Sequence, residues 1–532
     1  MNRAFRFILS PSILDRVYLH PRRIQSHTTI RQLIEHKYFY ELLPLRSGKY
    51  LEAIENEPFS VYLGIDPSAH SLQLGNLVAL MGLLRCHTIG KNGLVVLGTS
   101  TVCIGDPSGR TKKRHLDVSE NYLANADCIE EQIQKIYQNY QEQFYSKFSS
   151  VKEKPSLEIL RNSDWLLREN MMTFLMDITT HFRMTELLDK ESVSLRLNSG
   201  NGMDLSEFLY PILQAMDFLY LYENLNCQIQ IGGHDQLGNI SCGLNLIHRK
   251  TKRYAFGKLN RWLVLFVSGL TVPLLTTPNG QKLGKSVSAP GMKPIWLDPK
   301  RTLPYSFYQR VLNLPDSFVS EQLLKQLTFF SSDHIKSLLD ENQKSRDDRP
   351  VQRALARELT LLVHGVDGLQ SAELATRIFF PLAANLTTDI RPPASQDVIA
   401  TQLSTTEKNY LLQCVSPSAH LLPVIHTTDP PSISDQGALI GWFSHILKRT
   451  GTDSFQEDVI FEQASKGVTL NDVPIFPPGS ASGQVALEML EQNPSVWTEL
   501  APRLTKALTS VFSNLGLHVL KIGKLLNHRA IS

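Results

Sequence analysis

With 532 residues the chain can bury large cores and suggests two to four domains, which excludes a single small module. A formal charge of +3 excludes nucleic-acid binding through a globally basic surface, so any such contact must come from local patches. The six cysteines, Cys86, Cys103, Cys128, Cys227, Cys242 and Cys414, lack paired zinc-type spacing. Their scatter points to reduced thiols, with neither a disulfide nor a structural metal expected.

Residues 1–30 carry Arg3, Arg6, Arg16, Arg22 and Arg23 against the single acid Asp15, with Phe5, Phe7, Ile8 and Leu9 interspersed. This is the composition of a mitochondrial transit peptide; a disordered basic tail is the other reading. Over 31–300, short apolar runs at Val61-Tyr62-Leu63, Leu94 to Leu97 and Cys227 to Ile231 alternate with longer helical patterns. They predict an α/β domain with a Rossmann-like, mostly parallel sheet. Ligands of such sheets bind beyond the carboxyl ends of the strands.

Four polar segments follow the predicted strands. Tyr62 to Ser68, which includes Asp66, runs into Leu72-Gln73-Leu74-Gly75-Asn76-Leu77, and Ile104-Gly105-Asp106-Pro107-Ser108-Gly109 comes second. Gly232-Gly233-His234-Asp235-Gln236-Leu237-Gly238-Asn239-Ile240 is third, and Lys282-Leu283-Gly284-Lys285-Ser286 is fourth. In the third, paired glycines let backbone approach a ligand, Asp235 can accept from sugar hydroxyls and Gln236 can satisfy a small polar substrate. By itself such a segment is more often just a turn. Tyr210, Gln214 and Asp217 stand at i, i+4 and i+7, on one helix face. The apolar run Trp262 to Leu275 is broken by Ser268, Gly269, Thr271 and Pro273 and is too short to span a bilayer.

Residues 301–420 are helical in pattern, as in Arg353 to Val363 with Leu355, Leu359, Leu361 and Leu362 as apolar positions. Pro423, Pro430 and Pro431 mark a linker over 421–435. A small domain over 436–532 begins with amphipathic helices around Trp442 to Arg449 and Asp458 to Lys466. A strand and turn, Gly467 to Val473, follow, and a last strand falls near Leu520 to Lys524.

In their order, the four segments resemble those of the class I tyrosyl-tRNA synthetases, and more narrowly the mitochondrial members, over residues 55–380 and more weakly beyond. The resemblance implies a two-step reaction. Tyrosine attacks the α-phosphorus of ATP, giving tyrosyl-adenylate and pyrophosphate, and the terminal ribose of tRNA(Tyr) then takes the tyrosyl group. Neither step needs a covalent enzyme intermediate, so the protein contributes positioning and charge stabilisation. The resemblance gives Tyr210 and Gln214 to the substrate ammonium and Asp217 with Tyr62 to the phenolic hydroxyl, with Asp106 and Gln236 completing the tyrosine pocket. It gives ATP to Asp66, Gly75, Asn76, Gly233, Asp235, Lys282 and Lys285, and catalysis to Ser68, Gln73, Lys282 and Lys285. It further implies magnesium carried by ATP, no resident metal, a homodimer, a mitochondrial matrix location and no membrane partner. Residues 301–420 would be a helical anticodon-binding domain and 436–532 a small α+β RNA-binding domain; a helical domain without an RNA role is the alternative for the first.

The chain departs from the family pattern at several points. Gln73-Leu74-Gly75-Asn76 stands where the family has His-Ile-Gly-His, and neither amide can carry a charge. His234 replaces a usual serine, and Ser68 a usual threonine. Lys258 to Gly269 reads as an insertion, either a lineage-specific segment or a retained intron, and Pro477 to Gln492 as another. The altered Gln73 and Asn76 keep a rival reading open, a noncatalytic RNA-binding paralogue with a splicing or regulatory role.

Overall fold

The computed structural model describes residues 29–43, 58–108, 121–145, 154–198, 202–254, 267–275 and 294–379, together with strand residues 468–470, 473–476, 518–522 and 528–531. Strands β1 (Glu41–Leu43), β2 (Ser60–Ile65), β3 (Asn92–Leu97), β4 (Leu157–Arg161), β5 (Cys227–Gly233) and β6 (Ser268–Val272) form one sheet in the order β1-β6-β5-β2-β3-β4. β2, β3, β4, β5 and β6 run parallel, and β1 pairs antiparallel with β6 at the edge. The apolar runs at β2, β3 and β5 are buried on both faces, which is why they are continuous and not alternating. The chain moves outward from β2 through β3 to β4, then returns to β5 on the other side of β2. The switch point therefore lies between β2 and β5, where a crevice opens at the strand ends.

A short helix, α1 (Ile30–Glu35), precedes the sheet, and longer helices cover both of its faces. On one, α4 (Leu205–Leu225) and α5 (Leu237–Tyr254) pack Ile212, Met216, Phe218, Cys242 and Leu246 against Tyr62, Leu94 and Val96 of the sheet. α4 ends at Asn226, whose left-handed backbone (φ 48°, ψ 39°) turns the chain directly into β5. On the other face, α2 (Leu74–Thr88) lies so close to the strands that a Cβ at Gly82 would come within 3.0 Å of the Val272 side chain and 3.5 Å of Ile231. α3 (Tyr122–Gln143) buries a stripe of Ala126, Ile129, Ile133, Ile136 and Tyr140 at helical spacing.

The strand β6 revises the expected insertion at its carboxyl end. Ser268 pairs with Ile229, and Gly269 pairs with Gln230 on one side and Leu43 on the other, so both belong to the central ladder. Val267 packs against the core under α4 and α5. Residues 258–266 lie outside the described residues, as do the N-terminal segment 1–28, the linker 421–435, the amphipathic helices expected at 442–449 and 458–466, and the insertion expected at 477–492.

Beyond the sheet come α6 (Pro304–Leu312), α7 (Glu321–Leu327), α8 (Ser332–Lys344) and α9 (Pro350–Phe379). α9 is broken at Gly365 (φ 74°, ψ −173°), where Asn139 Nδ2 of α3 donates to the carbonyls of Leu362 (3.0 Å) and Val363 (3.3 Å). A Cβ at Gly365 would lie 2.8 Å from Asn139 Oδ1, so the break needs glycine on two counts. The chain divides into two compact units, 1–369 and 370–532. The reason is visible at Arg85 in the last turn of α2. Its buried guanidinium donates to the carbonyls of Lys325 (2.7 Å) and Thr328 at the end of α7 and lies 3.7 Å over the Tyr38 ring. Residues 304–369 thus share a core with α2 and α3.

In the second unit, β7 (Val468–Leu470), β8 (Val473–Phe476), β9 (His518–Ile522) and β10 (His528–Ile531) form an antiparallel sheet in the order β10-β9-β7-β8. The final strand expected near Leu520 is β9, and the chain beyond it returns to pair as β10. No helix among the described residues is long and apolar enough to cross a membrane.

Arg85→Met would keep much of the side-chain volume but leave two buried carbonyls without a donor, at about 1–3 kcal/mol each. We predict a loss of roughly 2 kcal/mol or more in unfolding free energy by denaturant titration. An unchanged midpoint and slope would show that this contact does not hold the helices.

Candidate active site

The site grows from the middle of α4 and the ends of β2, β3 and β5. Asp217 is buried, 5% exposed, and burial pushes its carboxyl up to about 7. Two hydrogen bonds to its charged form act the other way: Trp165 Nε1 donates to Oδ1 (2.8 Å) and Asn162 Nδ2 to Oδ2 (3.2 Å). Asn162 sits in the turn after β4, fixed by accepting the Ser100 N–H at 2.9 Å. Beside Asp217, Tyr62 of β2 carries a buried hydroxyl without a hydrogen-bond partner. Burial first, and the Asp217 charge second, raise its pKa well above the usual phenol value. A phenol donor and a carboxylate acceptor are thus left in one apolar surround, with the Tyr62 ring 5.3 Å from Phe218.

Two helical turns back, Tyr210 donates to Asp66 Oδ2 (2.8 Å), while Thr101 donates to Asp66 Oδ1 (2.8 Å). Asp66, expected on the nucleotide side, is thereby joined to the amino-acid end. Asn162 also reaches Thr101 Oγ1 (3.1 Å), so one chain of contacts links Asp66 to Asp217. A second web holds Asp106. Gln236 Nε2 donates to Oδ2 (2.6 Å) and Asn239 Nδ2 to Oδ1 (3.2 Å), and Gln214 Nε2 donates to Gln236 Oε1 (3.3 Å). Asp66 and Asp106 both bear on Tyr210, whose phenol is raised by burial and then by these two charges. An ammonium group near Tyr210 and Gln214 would meet two oriented carboxylates.

The nucleotide side is the start of α2. Gln73 is its N-cap; Asn76 Oδ1 accepts the Gln73 N–H at 3.0 Å, leaving the Asn76 amide hydrogens for another partner. Gly75 and Asn76 are exposed in the first turn, where the helix end favours anions. Gln73 Nε2 is buried with no partner. Gln73 also bridges to Trp296, with Leu74 N–H donating to the Ile295 carbonyl (3.2 Å) and Leu297 N–H to that of Leu72 (2.9 Å). Lys282 and Lys285 lie outside the described residues, which resume at Pro294, two positions before Trp296. Ser68 is half-buried in the loop after β2, its N–H on the Asp66 carbonyl at 2.8 Å.

At the end of β5, a Cβ on Gly233 would lie 2.5 Å from Asp235 Oδ1 and 3.0 Å from Leu274. Only glycine brings the Asp235 carboxylate over that backbone. His234 between them turns to the edge strand, its ring 4.4 Å from Tyr40 and Nδ1 3.9 Å from Glu41 Oε2. Among the described residues no cluster of three His, Cys, Asp or Glu side chains is set to hold a metal ion. Sequence reasoning had not singled out Thr101, Asn162, Trp165 or Asn239. Asn239 was within reach, three residues after Gln236 on the same helical entry, whereas Asn162 and Trp165 lie in a turn without a motif.

Residues 54–381 match the family of class I tRNA synthetases for tryptophan (W) and tyrosine (Y). The mitochondrial tyrosine–tRNA ligase of Drosophila melanogaster is 35% identical over 378 residues, 70% of this chain and 77% of that protein. The mitochondrial tyrosine–tRNA ligase of Homo sapiens is 38% identical over 323 residues, 61% of this chain and 63% of its own length. A C-terminally truncated mitochondrial tyrosyl-tRNA synthetase from Aspergillus nidulans superposes with a TM-score of 0.58 at 27% identity, covering 66% of this chain and 95% of that one. The chain belongs to the class I tRNA synthetases. Within them it falls among the tyrosine–tRNA ligases of mitochondrial type.

Asp217 has a folded pKa of about 7 against an ordinary 3.8. Its contribution to stability is therefore full below the ordinary value and is lost as pH rises through about 7, on the order of 1.4 kcal/mol per pH unit within that window. Unfolding free energies of the ligand-free chain between pH 4 and 7 should fall more steeply for the wild type than for Asp217→Asn. Parallel curves would mean that Asp217 ionises normally.

Proposed function

We propose that the chain activates tyrosine with ATP to tyrosyl-adenylate and transfers it to a mitochondrial tRNA(Tyr) in the matrix. The observation that carries this reading is the unsatisfied Tyr62 hydroxyl beside Asp217. Buried polar groups left open are costly unless a ligand completes them, and a substrate phenol supplies both a donor for Asp217 and an acceptor for Tyr62. At the other end Asp66 and Asp106, oriented by Tyr210 and Gln236, suit the ammonium group. ATP, with its magnesium, would lie along the start of α2. There the phosphates meet the helix N-terminus, the Gln73 and Asn76 amides and, from the neighbouring segment, Lys282 and Lys285. The lysines would neutralise departing pyrophosphate. Residues 301–420 would read the anticodon and 436–532 would add RNA contact. The arginine-rich residues 1–30 and the mitochondrial names of the relatives support the location.

The rival, a paralogue that binds RNA without catalysis, would have no use for so costly a pocket. Tyrosine-dependent exchange of pyrophosphate into ATP separates the two. The wild-type chain should exchange, and Lys282→Ala should lower the exchange rate at least tenfold with tyrosine affinity nearly unchanged, because the lysine acts on charge that develops in the transition state. Absence of exchange in a wild-type chain that binds structured RNA tightly would favour the rival.

The same reading includes a homodimer. Leu167, Met171, Met172, Met176 and Met184 are all more than half exposed within a short span between β4 and α4. So dense an apolar surface marks an interface, and a second copy would cover it by two-fold symmetry. Met172→Glu with Met176→Glu should halve the mass seen by sedimentation velocity; a wild type that is already monomeric at micromolar concentration would remove the dimer from the reading.

A further inference from the structure

His234, the residue that departs from the family pattern inside the nucleotide loop, is not used by either end of the site just described. Its ring turns away from the Asp106 and Asp217 webs and braces Tyr40, with centroids 4.4 Å apart and planes at 64°. Tyr40 is 64% exposed. Its backbone is held firmly, since its N–H donates to the Thr271 carbonyl at 2.6 Å immediately before β1 pairs with β6. Because β1 runs antiparallel to β6, its first residues lie at the carboxyl end of β6, the edge on which the ligand loops gather. The other large aromatic exposed among the described residues, Tyr220, is stacked on Trp165 at 4.4 Å and 13°. Tyr40 therefore offers a free aromatic face beside the loop Gly233-His234-Asp235, fixed from behind by His234 and flanked by the carboxylate of Glu41, 3.9 Å from His234 Nδ1.

We propose that Tyr40, braced by His234, is a stacking platform for the unpaired 3′-terminal adenosine of the acceptor RNA. An unpaired nucleotide end is held by base stacking on aromatic side chains, and a flanking carboxylate can accept from the exocyclic amine of adenine. Two adenosines visit this enzyme, that of ATP and that of the RNA end. The start of α2, with Gly75, follows β2, whereas Tyr40 precedes β1, three places across the sheet order. The strands that carry them are about 14 Å apart at the usual strand spacing, further than one adenine spans. With the base of ATP at the start of α2 and its ribose toward Gly233 and Asp235, the base left for Tyr40 is the second one. The proposal rests on the tyrosine–tRNA ligase reading above.

The test uses the full chain in two assays. In pyrophosphate exchange without RNA, Tyr40→Ala should keep the KM for ATP and for tyrosine within about twofold of wild type. In single-turnover transfer from preformed tyrosyl-adenylate to a tRNA(Tyr) transcript, the same variant should lose roughly five- to 150-fold in efficiency, the worth of one stacked base. Tyr40→Phe should transfer almost as well as wild type. With 2-aminopurine replacing the terminal adenine, binding should quench fluorescence in the wild type and Tyr40→Phe but not in Tyr40→Ala. Wild-type transfer and quenching in Tyr40→Ala would overturn the proposal. So would a raised KM for ATP in exchange with transfer intact, which would assign the platform to the adenine of ATP. A wild type without exchange would instead overturn the ligase reading itself.

Discussion

The structure depends on one constraint, the cost of keeping a carboxylate and a phenol hydroxyl together in an apolar core. Asp217 and Tyr62 lie among Phe218, Met216 and Leu94, where neither can reach bulk water. Trp165 and Asn162 supply two donors to Asp217, and this need explains why the turn after β4 folds back on α4. Asn162 then fixes Thr101, Thr101 fixes Asp66, and Asp66 receives Tyr210. Each contact satisfies a buried group and at the same time sets the angle of a side chain that faces substrate. What remains open is the Tyr62 hydroxyl, a donor and acceptor held in place before any ligand arrives.

The sheet makes this arrangement possible. Because β5 and β2 are neighbours that diverge in connection, the loops after β2, β3 and β5 open into one crevice, and α4 delivers its polar face from the side. The amino-acid pocket lies under that face and the nucleotide side along the start of α2. The loop after β2 runs between them, with Asp66 held by Tyr210 and Thr101, and the start of α2 is itself held by the bridge from Gln73 to Trp296. At the far end of α2, Arg85 seals the same helix to α7. The helix that begins at the nucleotide thus ends in the contact that merges residues 304–369 with the catalytic core.

Much of this was legible in the residues. The spacing of Tyr210, Gln214 and Asp217 could only mean one helix face, and the glycines at the end of β5 are required by close approach, Gly232 to Gln236 and Gly233 to Asp235 and Leu274. Strands β2, β3 and β5 showed as apolar runs because they are buried on both faces. Short or interrupted elements were hidden. β6 was obscured because Ser268 and Gly269 look like loop residues, yet pairing with β5, and for Gly269 with β1 as well, holds them in a strand. Asn162 and Trp165 had no periodic signal, since their role comes from a partner 52 to 55 residues away. The break at Gly365 was likewise silent, because it depends on Asn139 from a helix far back in the chain.

Equilibrium binding of L-tyrosine and of L-phenylalanine to the ligand-free chain tests the central claim most directly. Phenylalanine would leave the Tyr62 hydroxyl unanswered and would give Asp217 no third donor beside Trp165 and Asn162, at about 1–3 kcal/mol for each lost hydrogen bond. The account predicts that tyrosine binds at least about a hundredfold more tightly, by roughly 3 kcal/mol, in calorimetric titration. Equal affinity for the two amino acids would contradict it.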